Sequence, residues 1–371
     1  MAAPYVRSTL YFDVAGTRCE GWLFEPARAG TAHGGSRPPV VVMAHGMGAQ
    51  KDMGLEPYAA GFTSGGLAAF VFDYRTFGGS AGEPRQWVSP RRHVEDWRAA
   101  VAFVRDRLAD RVDVERLCLW GTSFAGGHVL AIAADTPGVV AVVSQVPHLD
   151  ARAATLLSVR KRGVPRSLLA LAAGAADAAA GALGLPPLYL PLVGPPGSLA
   201  FMQLSEFESA EYYSKHPRVY QGGWTNRARA CLALELFVHR YSPIACVPRV
   251  AAPVLFVAAS RDTLCPVDAV RRAAGLARRG QLLERDCTHF ELYRGELFEK
   301  LIDEQVLFLR RHTGLAAARE AAAPARGGKG AAGAAARARG ADAGDLPGSP
   351  GSPGSAFSVA DTAASRERDQ A

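Results

Sequence analysis

Residues 117–134 read LCLWGTSFAGGHVLAIAA, and this stretch decides the fold. A short apolar run enters Gly121-Thr122-Ser123-Phe124-Ala125, and a second apolar run with helical composition leaves it. Strand, tight turn and helix in that order form the layout of a nucleophile elbow, G-x-S-x-G, here with Ala at the last position. The layout has a physical reason. A serine hydroxyl can react only if a sharp turn lifts it clear of the sheet edge, and small residues must flank it because strand and helix cross closely. Ala125 is the next smallest side chain after glycine, and Gly126 and Gly127 extend the run of small residues. The plainer alternative is a serine that merely caps an ordinary helix.

Working outward, short apolar runs predict strands at 10–12, 19–24, 40–44, 68–72, 117–120, 139–144, 254–258 and 281–284. The first two flank a turn containing Gly16 and read as a hairpin. The later runs are continuous and rich in Val, Leu and Phe, which suits strands covered on both faces of a parallel sheet. Between them, Val94, Trp97, Val101, Val104 and Leu108 recur at helical steps, as do Leu297, Leu301, Ile302 and Leu309. Alternating strands and helices imply an α/β fold with a doubly wound, mostly parallel sheet. The alternation breaks over residues 149–243, which read as helical without strand rhythm. The expected organisation is therefore a core of residues 1–148 and 244–312, a helical cap inserted at 149–243, and a tail at 313–371. The tail is dominated by Ala, Gly, Arg, Ser and Pro and contains PGSPGSPGS at 347–355. It lacks the apolar surface to offset its ordering entropy and is predicted to be disordered, apart from an Ala-rich helical extension near 315–323.

The other chemistry-bearing residues follow the strands. VVVMAHGMGAQKD, residues 40–52, runs a strand into His45-Gly46-Met47-Gly48. A loop at this place supplies one backbone N–H to an oxyanion, and glycines let the backbone approach the reacting carbonyl. Met47 would give one such donor and Phe124, directly after the serine, the other. His45 reads as a brace for this loop, and Lys51-Asp52 as part of the pocket rim. A base and an acid should follow in the order Ser, acid, His. Asp262 comes after the strand VLFVAA, and His289 lies in the loop after QLLER. Competitors are Asp268 and Asp286 for the acid and His128 and His148 for the base, and position after the proper strands favours Asp262 and His289. Asp73-Tyr74-Arg75 is read as a polar tie between neighbouring loops. Cys265 and Cys287 are read as buried or semi-buried thiols.

Composition narrows the remaining classes. The chain has 371 residues, 49% apolar and 21% charged, with 42 basic against 35 acidic side chains. That is enough apolar residue for a sizeable core and excludes a wholly disordered chain. The net charge of +7 is mild and scattered, so no nucleic-acid partner is expected. The six cysteines show no C-x-x-C spacing, which points to free thiols in a reducing, cytoplasmic compartment. The one long apolar stretch, residues 167–201, is broken by Asp177, several Gly and two Pro-Pro pairs, so no membrane span is expected. No cofactor motif and no metal-ligand motif appears.

Four strings together, AHGMGAQKDMGLEPYA, FVFDYRTFGGSAGEPRQ, LWGTSFAGGH and CTHFELY, resemble the α/β-hydrolase superfamily over residues of about 5–312. Within it the chain is similar to serine aminopeptidase-like and acetyl-xylan-esterase-like hydrolases and to the fungal polyketide transferase and thiohydrolase family. The resemblance implies a mostly parallel sheet with a lid and a catalytic set of Ser123, Asp262 and His289. The leading expectation is a cofactor-free serine hydrolase acting on a small-molecule acyl ester or thioester. An acyltransferase resolves the same acyl-enzyme with an alcohol. Residues 150–245 carry 10 Lys/Arg against 6 Asp/Glu, and such a basic lid suits an acyl carrier protein or the phosphates of coenzyme A, unless the charge serves solubility alone. A peptidase would need acids for the substrate ammonium, with Glu206, Glu208 and Glu211 as candidates. A silent binding protein on the same scaffold is the non-enzymatic alternative, opposed by all three triad positions being filled.

Overall fold

The computed structural model describes residues 5–27, 37–214, 223–239 and 241–315, which all fall within one compact unit. The expected tail and its Ala-rich extension lie outside the described residues, apart from 313–315. The eight strands read from the sequence are all present, as β1 Tyr5–Val14, β2 Thr17–Pro26, β3 Pro39–Ala44, β4 Ala68–Phe72, β5 Asp113–Thr122, β6 Val139–Gln145, β7 Val254–Ala259 and β8 Gly280–Arg285. They form one sheet in the order β1-β2-β4-β3-β5-β6-β7-β8. The β1–β2 and β2–β4 pairs are antiparallel, and every other pair is parallel. Val14 faces Thr17 across a two-residue turn, so the first two strands are the hairpin that the sequence suggests.

All six residues of β3 and of β7 are buried, as the unbroken apolar runs require. Burying each Val, Leu or Phe contributes about 1.5–3 kcal/mol. The strand β8 departs from that reading. Its first three residues are exposed because it forms the sheet edge, covered mainly by one helix. Helices α1 Glu56–Ser64, α2 Pro90–Arg107, α3 Phe124–Asp135, α8 Val267–Leu276 and α9 Gly295–Thr313 pack along the strands. The stripe Trp97, Val101 and Val104 of α2 is buried. The chain leaves β3 toward β4 and leaves β5 toward β6, on opposite sides. The carboxyl ends of the adjacent β3 and β5 therefore open the crevice where such sheets bind ligands.

Between β6 and β7 lie α4 Ala151–Arg162, α5 Val164–Ala182, α6 Glu206–Ser214 and α7 Leu232–Phe237. This segment adds no strand to the main sheet. It is not purely helical, however. Tyr189–Leu190 pairs with Ala228–Arg229, and Val193–Gly194 with Met202–Gln203. These two-residue strands are too short to leave an alternating pattern. Among the described residues no helix is long and apolar enough to cross a membrane.

The polar tie expected at Asp73-Tyr74-Arg75 is present. Arg75 holds the buried Asp96 of α2 through its backbone N–H at 3.0 Å and through its guanidinium. Asp73 accepts hydrogen bonds from the backbone N–H groups of Lys51, at 2.7 Å, and Gly79, at 3.0 Å. Lys51 corrects the sequence reading. It is buried rather than at a pocket rim, with its ammonium 2.5 Å from Asp73 and 2.7 Å from Glu20. Removing one partner of a buried pair strands the other charge. Lys51→Met is expected to destabilise the fold by about 3–5 kcal/mol in urea denaturation, and a change below about 1 kcal/mol would contradict this placement.

Three buried histidines, His93, His128 and His148, surround Phe124 at the start of α3. Burial, reinforced by neighbouring histidines, lowers His128 to about 3. Burial also lowers His148 to about 4 and His93 well below its ordinary value. In the unfolded chain each imidazole takes up a proton near about 6.5. Below that pH the unfolded state binds more protons, so stability falls as pH falls. Asp96, raised to about 6 by burial, acts in the opposite direction but offsets only one of the three. Urea denaturation should show up to about 4 kcal/mol less stability at pH 5 than at pH 7. Equal stability at both values would contradict neutral, buried histidines.

Candidate active site

The turn at the end of β5 puts Ser123 at φ 58° and ψ −117°, a conformation that costs a non-glycine residue about 1–3 kcal/mol. Surrounding bonds enforce it. Ser123 donates its N–H to the Gln145 carbonyl at 2.8 Å, and its own carbonyl accepts from His148 N at 2.9 Å. Gly121 is required because a Cβ there would lie 2.3 Å from the Ala125 carbonyl oxygen. At Gly46, a Cβ would lie 2.9 Å from Ser123 Cβ, so the β3 loop approaches the serine closely only as glycine. The Trp224 indole donates to the Gly48 carbonyl at 2.7 Å and fixes the far end of that loop.

The structure brings Ser123, His289 and Asp262 together from positions up to 166 residues apart. His289 Nε2 lies 3.1 Å from Ser123 Oγ, and His289 Nδ1 lies 2.7 Å from Asp262 Oδ2. The other oxygen of Asp262 accepts from Leu264 N and Cys265 N, both at 2.8 Å, so the carboxylate is held from two directions. The side chains of His289 and Asp262 are almost fully withdrawn from solvent. Tyr293 hydroxyl bonds Thr122 beside this group and steadies the last residue before the serine.

The competing residues sit elsewhere. Asp268 pairs with Arg271 at 2.8 Å, and Asp286 pairs with Arg261 at 3.0 Å, both toward solvent. His128 Nδ1 lies 2.7 Å from the Tyr241 hydroxyl. His148 is close to Ser123 but lines the cavity wall, stacked edge-on against Phe124. His45 is buried, with Nδ1 2.9 Å from the Gly46 carbonyl, in keeping with a loop brace. Cys265 and Cys287 are both buried.

Asp262, Cys265 and His289 also form the one described group with side-chain atoms close enough to hold a metal, all within 4.8 Å of one another. Their chemistry fits a metal poorly. Burial, with the nearby Asp262 charge, raises the Cys265 thiol well above its ordinary value, whereas a metal ligand must be a thiolate. The Asp262 carboxylate is already occupied by His289 and two backbone N–H groups.

Two cavities meet at Ser123. The larger has about 730 Å³ of space including its open mouth, and Met47, Ser123, Phe124, Leu157, Phe201 and Leu236 are among its walls. The smaller, about 350 Å³, lies on the His289 side and is lined by Met47, Met53, Leu55, Tyr212 and Phe290. Much of the larger wall is one face of α4: Ala154, Thr155, Leu157, Ser158, Lys161 and Arg162. These residues recur at steps of three and four, a signal present in the sequence but masked there by the basic run it ends in. Of the acids considered for an ammonium, Glu208 accepts from Ser205 N at 3.0 Å and from Thr263, and Glu211 pairs with Arg294 at 2.7 Å. Glu206, Glu208 and Glu211 line neither cavity.

Comparison with known proteins agrees with this architecture. The family model described as serine aminopeptidase, S33 matches residues 35–285. The quorum-quenching protein AidA of Acinetobacter baumannii is 33% identical over 308 residues, which cover 83% of this chain and 96% of AidA. The thiohydrolase aneE of Aspergillus aculeatus is 26% identical over 309 residues, covering 81% and 91% of the two chains. In fold, the crystal structure of the α/β hydrolase GrgF from Penicillium has a TM-score of 0.68 at 24% identity, covering 83% of this chain and 99% of GrgF. With strand order, serine turn and matched residues in agreement, the chain belongs to the serine aminopeptidase S33 family and is an enzyme of the α/β-hydrolase type.

Proposed function

We propose that this enzyme cleaves an ester or thioester through an acyl-enzyme on Ser123. The observation that carries this reading is the continuous chain of contacts Ser123 Oγ to His289 Nε2, 3.1 Å, and His289 Nδ1 to Asp262 Oδ2, 2.7 Å. His289 accepts the serine proton as Oγ attacks the acyl carbon, and Asp262 holds the imidazole in the needed tautomer. The backbone N–H groups of Met47 and Phe124 take the developing oxyanion. His289 then protonates the leaving group, and water attacks the acyl carbon with the same imidazole as base. The strained turn and the packed β3 loop support this assignment, because they hold the donors and the hydroxyl in place before substrate arrives.

Residues 149–243 serve as the cap in this reading, with α4 forming the wall of the acyl cavity. The six free thiols suit a reducing, cytoplasmic setting. A second reading, acyl transfer to an alcohol, draws on the smaller cavity. It lies on the His289 side of Ser123, with Met47, Met53, Leu55 and Phe290 in its wall, so an acceptor could take the place of water there. The relatives include a polyketide transferase, ATR5 of Stachybotrys chlorohalonatus, 29% identical over 307 residues. The aminopeptidase reading finds less support, because none of Glu206, Glu208 and Glu211 lines either cavity.

Turnover of p-nitrophenyl acyl esters tests the proposal. Ser123→Ala should lower kcat on the order of 10⁶-fold and Asp262→Asn on the order of 10⁴-fold, with little change in thermal stability. Full activity in Ser123→Ala would sink it. Adding an alcohol as acceptor separates the two readings, since a transferase gives the new ester and a hydrolase the free acid.

A further inference from the structure

The larger cavity contains a charge without a counter-ion. Arg162, at the end of α4, is 2% exposed and lines the same cavity as Ser123. Its Nη2 donates to the Ala200 carbonyl, and its guanidinium carbon lies 5.9 Å from the centre of the Phe237 ring. Its Nε and Nη1 are buried and have no hydrogen-bond partner among the described residues. Beside it, Lys161 donates to the carbonyls of Gln203, at 3.1 Å, and Thr263, at 2.9 Å. Lys161 also feels the carboxylates of Glu208 and Asp262 behind the wall, so of the two cations in the wall it is Arg162 that no carboxylate balances. The other two buried arginines among the described residues each have a carboxylate partner: Arg75 has Asp96, and Arg229 has Asp177 at 2.9 Å.

A buried guanidinium with two of its nitrogens unpaired and no carboxylate beside it is costly, and apolar residues of similar size would fill the wall at less expense. Burial lowers the affinity of Arg162 for its proton, and no neighbouring carboxylate counters the effect. A ligand that brings a carboxylate satisfies the free N–H groups and the charge together. Leu157, Phe201, Met202, Leu236 and Phe237 give the wall an apolar stretch that suits a hydrocarbon chain between that carboxylate and Ser123. We infer that the acyl group this site accepts carries a carboxylate, which Arg162 binds with Lys161 at its side, so that the substrates are monoesters or thioesters of dicarboxylic acids. This rests on the reading of Ser123 as nucleophile and adds the substrate class to it. The burial of Arg162 argues against a carrier protein as its partner, because only a group inside the cavity can reach it.

The test compares p-nitrophenyl monoesters of dicarboxylic acids of increasing chain length with the same esters capped as methyl esters. At its best length the free carboxylate should raise kcat/KM about ten- to hundredfold, and Arg162→Met should bring the ratio near one while Arg162→Lys keeps part of it. Calorimetric binding of both esters to the Ser123→Ala protein, with and without Arg162→Met, reads the same preference without turnover. Equal kcat/KM and equal binding of free and capped esters by the parent chain would overturn the inference. Turnover of capped esters alone would then leave the hydrolase reading standing. A carboxylate preference in binding with no turnover of any ester would instead uphold the anion seat and remove the nucleophile.

Discussion

At Ser123 the backbone is held at a positive φ that an L-residue adopts only under constraint. The rest of the site depends on that turn. It lifts Oγ above the carboxyl end of β5, where the loop after β3 and the loop after β8 also arrive. Relaxing the turn would drop the hydroxyl toward the first turn of α3, where a serine ordinarily caps a helix. The strain is supported by the two backbone bonds at Ser123 and by close packing at Gly121 and Gly46, where no side chain fits. A hydroxyl raised in this way comes within hydrogen-bond reach of the His289 imidazole, at 3.1 Å.

A second layer holds the loops that surround the turn. Lys51, Asp73 and Glu20 tie the segment after β3 to the segment after β4 and to β2, and Arg75 ties the latter to α2. These ion pairs are buried, so they specify one arrangement of the loops more than they add net stability. Beneath Phe124 the same region is packed with neutral histidines against Tyr74 and Tyr241. The loop after β3 and the serine turn therefore stand on a buried polar base, with an apolar sheet below it. From above, Trp224 reaches the carbonyl of Gly48, so the segment between β6 and β7 also contacts this loop.

The sheet was legible because its signals are local. Unbroken runs such as VVVMA and VLFVAA mark strands covered on both faces, and the small residues around Ser123 mark the turn. Asp262 and His289 were legible through their positions after the two last strands, since topology brings strand ends together. What was hidden depends on tertiary context. The ammonium of Lys51 follows a loop and reads as a surface charge, yet its partners lie 22 and 31 residues earlier or later in the chain. Arg162 belongs to a basic run that looks solvated, and only the placement of α4 over Ser123 shows that one of those charges is inside. The exposed start of β8 and the two-residue strand pairs after α5 are set by sheet edge and by packing, which leave no periodic pattern.

The account stands on the hydroxyl of Ser123 being the reactive group of the folded protein. Mass-spectrometric mapping after treatment with a fluorophosphonate tests this most directly. The expected result is a single adduct on the peptide containing Ser123, lost when the protein is first unfolded and absent from Ser123→Ala. An unmodified folded protein, or an adduct on another residue with Ser123 untouched, would contradict the account.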